Sequence, residues 1–468
     1  MIRSLIKQII FQVPNAIELA DLFVGEDFDD AAYLLSTLHS KLVTGPRHKR
    51  GWCFLRRSTL TRYMRGRHFS RIRSRLHELG IIELRRSYRA GHYSMAYRLN
   101  PAYWESKSVE CQSMRLSNKI RAYHARQERR LLPVHRHLRA KLRLLEFDLE
   151  QAEQLISDMV PPPRSPLTVG EYHTLLLERS RRLTTEAKSS LTVDPFGRVH
   201  TPVTNLASKL RCCLTVGGQH LAGYDIANSQ PLIAGIMAKT YYDRPQTRSR
   251  MKARKFDQRT TPYVRREIEA MSQRRTRNQA EAGDEEQPQA QPLSNMCCIE
   301  SFEAAKTGIG LLRQVDLEGP LSDLDRYLQI CQDGKLYEHF RDLGDRKQIK
   351  NGTFRLFFGR VGVPNNLASA FAAEFPSMAN MLRDLKGGDY RHVAHLMQSY
   401  ESTLVIAVIC DRILRERPEL PIYTIHDSIL TIPTARAYVR EVMEDEFGKI
   451  GIRPQLTPVE YSYPGDDS

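Results

Sequence analysis

Apolar side chains in the first hundred residues follow a helical spacing and then a strand-like alternation. The helical spacing predicts three helices: 29–43, 58–65 and 69–79. Gly80 follows the third, as expected of a residue that closes a helix. Period-two alternation then predicts two strands about a turn at Ala90 and Gly91: 81–88 and 93–99. Three helices followed by a hairpin is the element order of a winged-helix domain, which we assign to residues 1–105.

The next segment, residues 106–166, is basic and helical in pattern. Residues 114–159 have apolar positions at helical spacing, broken at Pro133. The run Pro161-Pro-Pro-Arg-Ser-Pro166 predicts a stiff linker after them.

A buried strand is predicted at residues 221–226, and it ends on Asp225. The following Asn228-Ser229-Gln230-Pro231 is typical of a helix start. A carboxylate between a strand end and a helix N-terminus is well placed to hold a metal ion, although an ordinary capping aspartate has the same setting. Residues 243–296 are polar and charged, which predicts a flexible insertion.

The stretch from Arg346 to Gly359 carries the most distinctive spacing. Arg346, Lys350, Phe354 and Phe358 recur every fourth residue, so a helix would place two cations and two rings along one face. Such a face can hold a triphosphate at its cationic end and stack a base on a ring. An amphipathic helix with a solvated basic edge has the same pattern.

The last part of the chain predicts a helix, a hairpin and a helix. Apolar positions run at helical spacing from about Ala394 to Leu414, and two short strands flank His426-Asp427. The strands are 421–425 and 429–432. We expect this hairpin to bring Asp427 beside Asp225. A closing helix is predicted at 435–447.

Charge indicates a polyanionic partner. The 468 residues carry a formal net charge of +16, and residues 51–100 hold twelve arginines against two glutamates, a local net charge of +10. In the predicted winged helix, arginines lie on the third helix and in the hairpin, where DNA contacts would fall: Arg71, Arg73, Arg75, Arg85, Arg86 and Arg89. A basic face kept for solubility, or a winged helix that binds protein, would show the same arginines.

Composition sets further limits. With 41% hydrophobic residues, the chain can build a sizeable core. No apolar run has membrane-spanning length. The N-terminal segment turns polar too early for a signal peptide. We therefore expect a cytoplasmic protein without a membrane partner. The eight cysteines lack the spacing of a zinc site or of a disulfide framework, so we expect them to be reduced.

Three segments resemble motifs of one enzyme superfamily, in the required order. Tyr224-Asp-Ile-Ala-Asn-Ser-Gln-Pro231 resembles the first palm motif of the family A DNA polymerases and single-subunit RNA polymerases. The Arg346–Gly359 stretch resembles their fingers helix, and Ile425-His-Asp-Ser-Ile-Leu-Thr-Ile-Pro433 resembles their second palm motif. The resemblance covers roughly residues 190–460. It implies an α+β right-hand polymerase whose palm and fingers lie in residues 167–468. Residues 106–166 would then be a possible thumb, and a charged helical spacer is the alternative for this segment.

The resemblance also implies roles for single residues. Asp225 and Asp427 would hold two Mg²⁺ ions, for which Mn²⁺ can substitute, with the Ile226 carbonyl as a third ligand. Arg346 and Lys350 would bind the triphosphate, and Lys350 would protonate the leaving pyrophosphate. The remaining residues fall into two groups by ligand: Phe354, Phe358 and Gln230 for the nucleotide, and Arg198, Gln398 and His426 for the nucleic acid. A local turn at Arg198 and a surface position for Gln398 are the alternatives.

The expected function is a DNA-dependent DNA polymerase that replicates a phage or mobile element, with template, primer and dNTPs as partners and replication proteins as further candidates. Asp148 and Glu150 have the spacing of an exonuclease motif but lack partner segments, so we expect no proofreading. A primase or single-subunit RNA polymerase is one alternative. A DNA-binding replication initiator without catalytic activity is another.

Three positions depart from the family pattern. Gln230 stands where the DNA polymerases carry a glutamate that blocks a 2′-hydroxyl, and Phe358 stands where the RNA polymerases have a tyrosine hydroxyl. Both departures favour deoxynucleotides. Ser428 stands where family A DNA polymerases usually have glutamate, which leaves DNA and RNA synthesis open.

Overall fold

The computed structural model describes residues 8–45, 51–64, 66–85, 94–163, 165–242, 322–360, 366–387 and 389–463. The chain divides into two compact units, each made of separate segments. The first contains residues 1–130, 146–188 and 205–214, and the second contains residues 131–145, 189–204 and 215–468. The expected insertion at 243–296, the turn at Ala90-Gly91 and the candidate Arg86 lie outside the described residues. The domain boundaries at 105 and 166 stay a prediction.

The first unit combines helices with short antiparallel strands. Its helices are α1 (Leu19–Leu22), α2 (Glu26–Thr44), α3 (Arg57–Leu60), α4 (Gly66–Glu78), α5 (Met114–Arg129), α7 (Leu149–Ser157) and α8 (Val169–Arg181). Its strands are β1 (Ile10–Pro14), β2 (Cys53–Phe54), β3 (Ile82–Arg85), β4 (Ala96–Leu99), β5 (Ser106–Glu110) and β6 (Glu146–Phe147). Short 3₁₀ helices are Pro101–Tyr103 and Ser208–Cys213.

Two small sheets and α2 organise the first unit. One sheet pairs β1 with β5, and the other has the order β2-β4-β3. Helix α4 buries Phe69, Ile72 and Leu76, which lie on one helical face. From α2 to β4 the element order is helix, strand, helix, helix, strand, strand. This matches the predicted helices and hairpin, with an additional short strand, β2.

The differences from the sequence prediction have local causes. The second helix ends at Leu60 instead of continuing to 65, because Tyr63 and Met64 turn into the core before α4 begins. Helix α2 begins three residues early, where Glu26, Asp27 and Asp29 suit the positive end of the helix dipole. Asp148 caps α7 by accepting a hydrogen bond from the Gln151 backbone nitrogen at 2.9 Å.

The second unit is helical around one four-stranded sheet. Its helices are α6 (Pro133–Lys141), α10 (Ser229–Tyr242), α11 (Ser322–Gln332), α12 (Leu336–His339), α13 (Arg346–Phe358), α14 (Asn366–Glu374), α15 (Pro376–Lys386), α16 (Arg391–Ser402), α17 (Asp411–Glu416) and α18 (Arg436–Gly448). Its strands are β7 (Thr192–Val193), β8 (Val199–His200), β10 (Gln219–His220), β11 (Ala222–Ile226), β12 (Tyr423–Ile425), β13 (Ser428–Thr431) and β14 (Leu456–Glu460).

Further short elements complete the chain. The 3₁₀ helices of the second unit are Leu142–Leu144, Arg341–Leu343 and Pro433–Ala435. Three elements span a boundary between the units: α9 (Pro202–Asn205), β9 (Leu214–Val216) and the 3₁₀ helix Glu186–Ser189.

The sheet of the second unit has the strand order β12-β13-β11-β14, and all its pairs are antiparallel. Gly223 on β11 faces Leu430 on β13, and a Cβ built on Gly223 would lie 2.0 Å from the Ile429 carbonyl oxygen. Only glycine therefore allows the two strands this close approach. The edge strand β14 was not predicted, since Pro458 and its largely exposed side chains hide a strand pattern.

A long helical stretch crosses the core of the second unit. Helix α16 continues through a π-helix, Thr403–Cys410, into α17. By length and composition the stretch Arg391–Glu416 could span a membrane, which contradicts the expectation that no such run exists. Most of its apolar window is buried inside the fold, as in the core helix of a soluble protein. The mixture of helices and antiparallel strands agrees with the predicted α+β class.

Candidate active site

Two carboxylates lie together at one end of the central sheet of the second unit. Asp225 is the penultimate residue of β11, and Asp427 is in the two-residue turn between β12 and β13. Strands β11 and β13 are neighbours, and the Ser428 hydroxyl donates a hydrogen bond to Asp225 Oδ1 at 2.5 Å. The structure thus brings together the two aspartates of the predicted pair.

The electrostatics of the pair show how close the charges are. Burial, together with the negative charges of Asp225 and Glu401, raises the pKa of Asp427 to about 7. A hydrogen bond with Ser229 acts in the opposite direction. Like charges held together in a partly desolvated setting are typical of functional sites.

Backbone strain is concentrated at the same place. Among the described residues, the only ones other than glycine with positive φ are Asn228 at 52° and His426 at 58°. Asn228 follows the end of β11, and His426 precedes Asp427 in the turn. Left-handed backbone is costly for residues with a Cβ and persists where the surroundings enforce it, most often at active sites and ligand clamps.

Glu401 is a third acidic residue of the site, and the sequence analysis missed it. It lies near the end of α16, is only 3% exposed, and accepts hydrogen bonds from two sides. Arg198 donates from Nε to Glu401 Oε2 at 2.9 Å and also from Nη2. Gln230 donates from Nε2 to Glu401 Oε1 at 2.8 Å. A lone glutamate at the start of a strongly apolar run was the only sequence feature that could have identified it.

Helix α13 carries the predicted row of cations and rings. Lys350 Nζ lies 5.8 Å from the centre of the Phe354 ring, and the Phe354 and Phe358 rings stack at 5.8 Å with 19° between their planes. The side chain of Asp345 caps the helix by accepting from the Gln348 backbone nitrogen at 2.8 Å. Phe358 is the last helical residue, and Gly359 follows it with extended backbone. The four residues therefore share one face, as their spacing predicted.

Tyr337 connects this helix to the carboxylates. The Arg346 guanidinium lies 5.4 Å from the centre of the Tyr337 ring, and Arg346 Nε donates to Glu338 Oε1 at 2.6 Å. Burial is the main cause that raises the pKa of Tyr337 to about 12; the charge of Asp427 contributes to the rise, and that of Arg346 opposes it. Tyr337 thus feels the charges of both Arg346 and Asp427, which relates the first turn of α13 to the carboxylates. The sequence analysis did not single out Tyr337.

The remaining candidates of the second unit lie on several elements, and their predicted roles stay predictions. The Arg198 guanidinium pairs with Glu401, and its expected contact with the nucleic-acid backbone stays a prediction. His426 is exposed in the turn beside Asp427, and Gln398 lies half-buried on α16, one turn before Glu401. Ile226 ends β11, where it pairs with Leu456 of β14.

The candidate DNA-binding arginines of the first unit differ in how exposed their side chains are and in which side chains they contact. Arg75 is exposed, whereas Arg71 pairs with Asp27 at 2.5 Å. Arg73 is half-buried, with its guanidinium carbon 5.7 Å from the centre of the Phe69 ring. Arg85 is exposed, with its guanidinium carbon 4.1 Å from the centre of the Trp52 indole.

The donor set suits a magnesium ion that arrives with its substrate. Within the described ranges, no group of three or more His, Cys, Asp or Glu side chains is placed to hold a metal ion. Magnesium is commonly held by one or two carboxylates together with water and substrate phosphates. Asp225 and Asp427 provide two such carboxylates, and the raised pKa of Asp427 reflects its burial together with the negative charges of Asp225 and Glu401, which a cation would offset.

No protein-family model matches this sequence. No curated protein matches it either. Among solved structures, the chain is similar to the POL domain of Pol1 from M. smegmatis in complex with DNA primer-template and dNTP. The two are 12% identical, the match covers 90% of this chain and 80% of that chain, and the TM-score is 0.34. A similarity at this level does not establish a shared fold.

Proposed function

We propose that this chain is a template-directed nucleotidyltransferase, and specifically a DNA-dependent DNA polymerase. The observation that supports the proposal is that Tyr337 feels the charges of both Asp427, one of the paired aspartates, and Arg346, the first residue of α13. One face of α13 carries two exposed cations and then two half-buried aromatic rings. Acidic groups for a metal-bound phosphate, cations for a triphosphate and a ring for a base are what nucleotide addition requires.

In the proposed reaction the primer 3′-hydroxyl loses its proton to solvent water and its oxygen attacks the α-phosphorus of the nucleotide. An O–P bond forms, and the bond to pyrophosphate breaks in line. Bound Mg²⁺ would supply charge neutralisation at the phosphates. Arg346 and Lys350 would hold the β- and γ-phosphates, and Lys350 would donate a proton to the leaving pyrophosphate. The Phe354 ring, half-buried next to Lys350, would stack on the base or its sugar.

The sugar would lie between the phosphates at the aspartates and the base on α13. Gln230 is in the first turn of α10, beside Ser229, and Ser229 hydrogen-bonds Asp427. A long neutral side chain at this level would crowd a 2′-hydroxyl, which favours deoxynucleotides.

The first unit is proposed to be a DNA-binding module of the winged-helix type. Its helix α4 and strand β3 present Arg75 and Arg85 to solvent. Exposed arginines at these two elements suit phosphate contacts. The phage or mobile-element origin and the lack of proofreading remain predictions.

The decisive experiment is primer extension with Mg²⁺, which compares the wild type with Asp225→Ala and Asp427→Ala. Both variants should lose incorporation while they bind primer-template as the wild type does, because they lack metal ligands and not phosphate contacts. Glu441→Gln, at an exposed position on α18, is the matched control. Unchanged extension by either aspartate variant would refute the metal assignment. Full DNA binding by a wild type that extends no primer would favour a replication initiator.

A further inference from the structure

Glu401 is a buried charge whose partners are all side chains of the candidate site. A buried carboxylate is stable only when it is paired and hydrogen-bonded. Here Arg198 provides a two-nitrogen contact, and Gln230 and Ser229 approach the other oxygen at 2.8 and 3.4 Å. Arg198 precedes β8, whereas Ser229 and Gln230 begin α10, so one carboxylate joins two distant parts of the second unit.

The pairing fixes the orientation of the Gln230 amide. A carboxylate can only accept hydrogen bonds, so the amide nitrogen of Gln230 must point to Glu401 and its carbonyl oxygen must point away. That oxygen, Oε1, is buried and accepts no hydrogen bond from the described residues. Burying an unpaired acceptor is unfavourable, so the orientation depends on Glu401 holding the other end of the amide.

Glu401 also reaches the carboxylate pair through one hydroxyl. Ser229 Oγ lies 3.4 Å from Glu401 Oε1 and is also within hydrogen-bond reach of Asp427, so its single hydroxyl proton can be donated to either carboxylate, one at a time. The turn that carries Arg198 is held in addition by Asp194, whose Oδ1 accepts from the Arg198 backbone nitrogen at 3.0 Å. Glu401 is therefore the common partner of Arg198, Ser229 and Gln230.

We propose that Glu401 is a positioning residue that sets the discrimination between deoxynucleotides and ribonucleotides by holding Gln230, without touching the nucleotide itself. This rests on the proposed polymerase function. The charge of Glu401 forces one amide orientation and one side-chain position, and the crowding of the sugar follows from that position. A neutral glutamine at 401 can donate as well as accept, so the Gln230 amide would no longer be fixed.

The test compares kcat/KM for a dNTP with that for the matching rNTP on a primer-template, in the wild type and in Glu401→Gln. The ratio should fall at least about tenfold, the effect of losing one hydrogen bond to a charged group. In Gln230→Ala the ratio should also fall, and adding Glu401→Gln to Gln230→Ala should lower it no further, because Glu401 acts through Gln230.

A buried ion pair elsewhere in the same unit separates positioning from stability. Glu446 is 4% exposed and pairs with Arg412 at 2.9 Å, so Glu446→Gln should destabilise the fold and leave the ratio unchanged. An unchanged ratio in Glu401→Gln, or equal use of both sugars by the wild type, would overturn this inference and leave the proposed polymerase function standing. A wild type that extends no primer would overturn the proposed function and this inference with it.

Discussion

The Ser428 hydroxyl donates a hydrogen bond to Asp225 Oδ1 across 2.5 Å, from β13 to β11. It fixes one oxygen of the carboxylate and leaves the other for a different partner. A glutamate at this position would instead place another negative charge beside Asp225 and Asp427. The serine therefore provides orientation where a third carboxylate would add repulsion.

Ser428→Ala should lower kcat for nucleotide incorporation about tenfold, because Asp225 loses a hydrogen bond that orients it. Ser428→Thr retains the hydroxyl and should keep most of the activity. Steady-state incorporation of a single nucleotide measures both. Wild-type kcat in the alanine variant would show that the bond does not orient Asp225 for the reaction.

Gln230→Gly should admit ribonucleotides, because it removes the side chain that crowds the sugar. Glycine near the start of α10 also costs helix stability, about 1 kcal/mol relative to alanine, so Gln230→Ala separates crowding from helix loss. Extension with rNTPs alone, compared with dNTPs alone, gives the result. If the wild type already incorporates both equally, Gln230 is not a sugar gate and the primase alternative takes precedence.

Arg75→Gln and Arg85→Gln should each weaken DNA binding and lower the slope of log K against log salt by up to about 0.9, the value for one neutralised phosphate. Arg71→Gln should change the slope less, because Asp27 already neutralises this arginine at 2.5 Å. Fluorescence anisotropy with labelled duplex over a salt series measures the slope.

Point substitutions suit this test better than deletion of residues 1–105. That deletion would remove β1 and leave β5 without its partner strand. Slopes that do not change in either variant would indicate that the first unit binds protein and not DNA.

His135 should make the second unit sensitive to acid. Burial lowers the pKa of this histidine to about 4, from an ordinary value of 6.5, and the ring accepts a hydrogen bond from the Leu132 backbone nitrogen at 3.3 Å. Between these values the unfolded chain binds a proton that the folded chain does not. Stability is therefore full above pH 6.5 and falls by about 3 kcal/mol as the pH approaches 4.

The free energy of unfolding, measured with denaturant at pH 7, 5.5 and 4.5, tests this loss of stability, and His135→Asn is the comparison. The variant should lose less stability than the wild type over the same range. An equal loss in both proteins would assign the acid sensitivity to other groups.

The sequence predicted the parts of the site that depend on local spacing. The row from Arg346 to Phe358 follows from helical periodicity, and the hairpin at His426-Asp427 follows from two short apolar runs about a turn. The proximity of Asp225 and Asp427 needed the resemblance as well, because the two strands are about two hundred residues apart in sequence.

What the sequence did not predict depends on contacts between distant residues. Glu401 is recognisable only once Arg198 and Gln230 surround it, and neither is near it in sequence. Tyr337 is related to the site because the charges of Arg346 and Asp427 both act on it. Periodicity describes which face of an element is apolar, and it carries no information about which buried charges will meet.

The interleaved segments of the two units affect how the chain can fold as it is synthesised. The first unit draws its last segment from residues 205–214, after the chain has already contributed residues 131–145 and 189–204 to the second. A ribosome must therefore translate nearly half of the protein before the first unit has all its parts. Its N-terminal strand β1 can pair with β5 early, but the unit closes only when the later segments emerge.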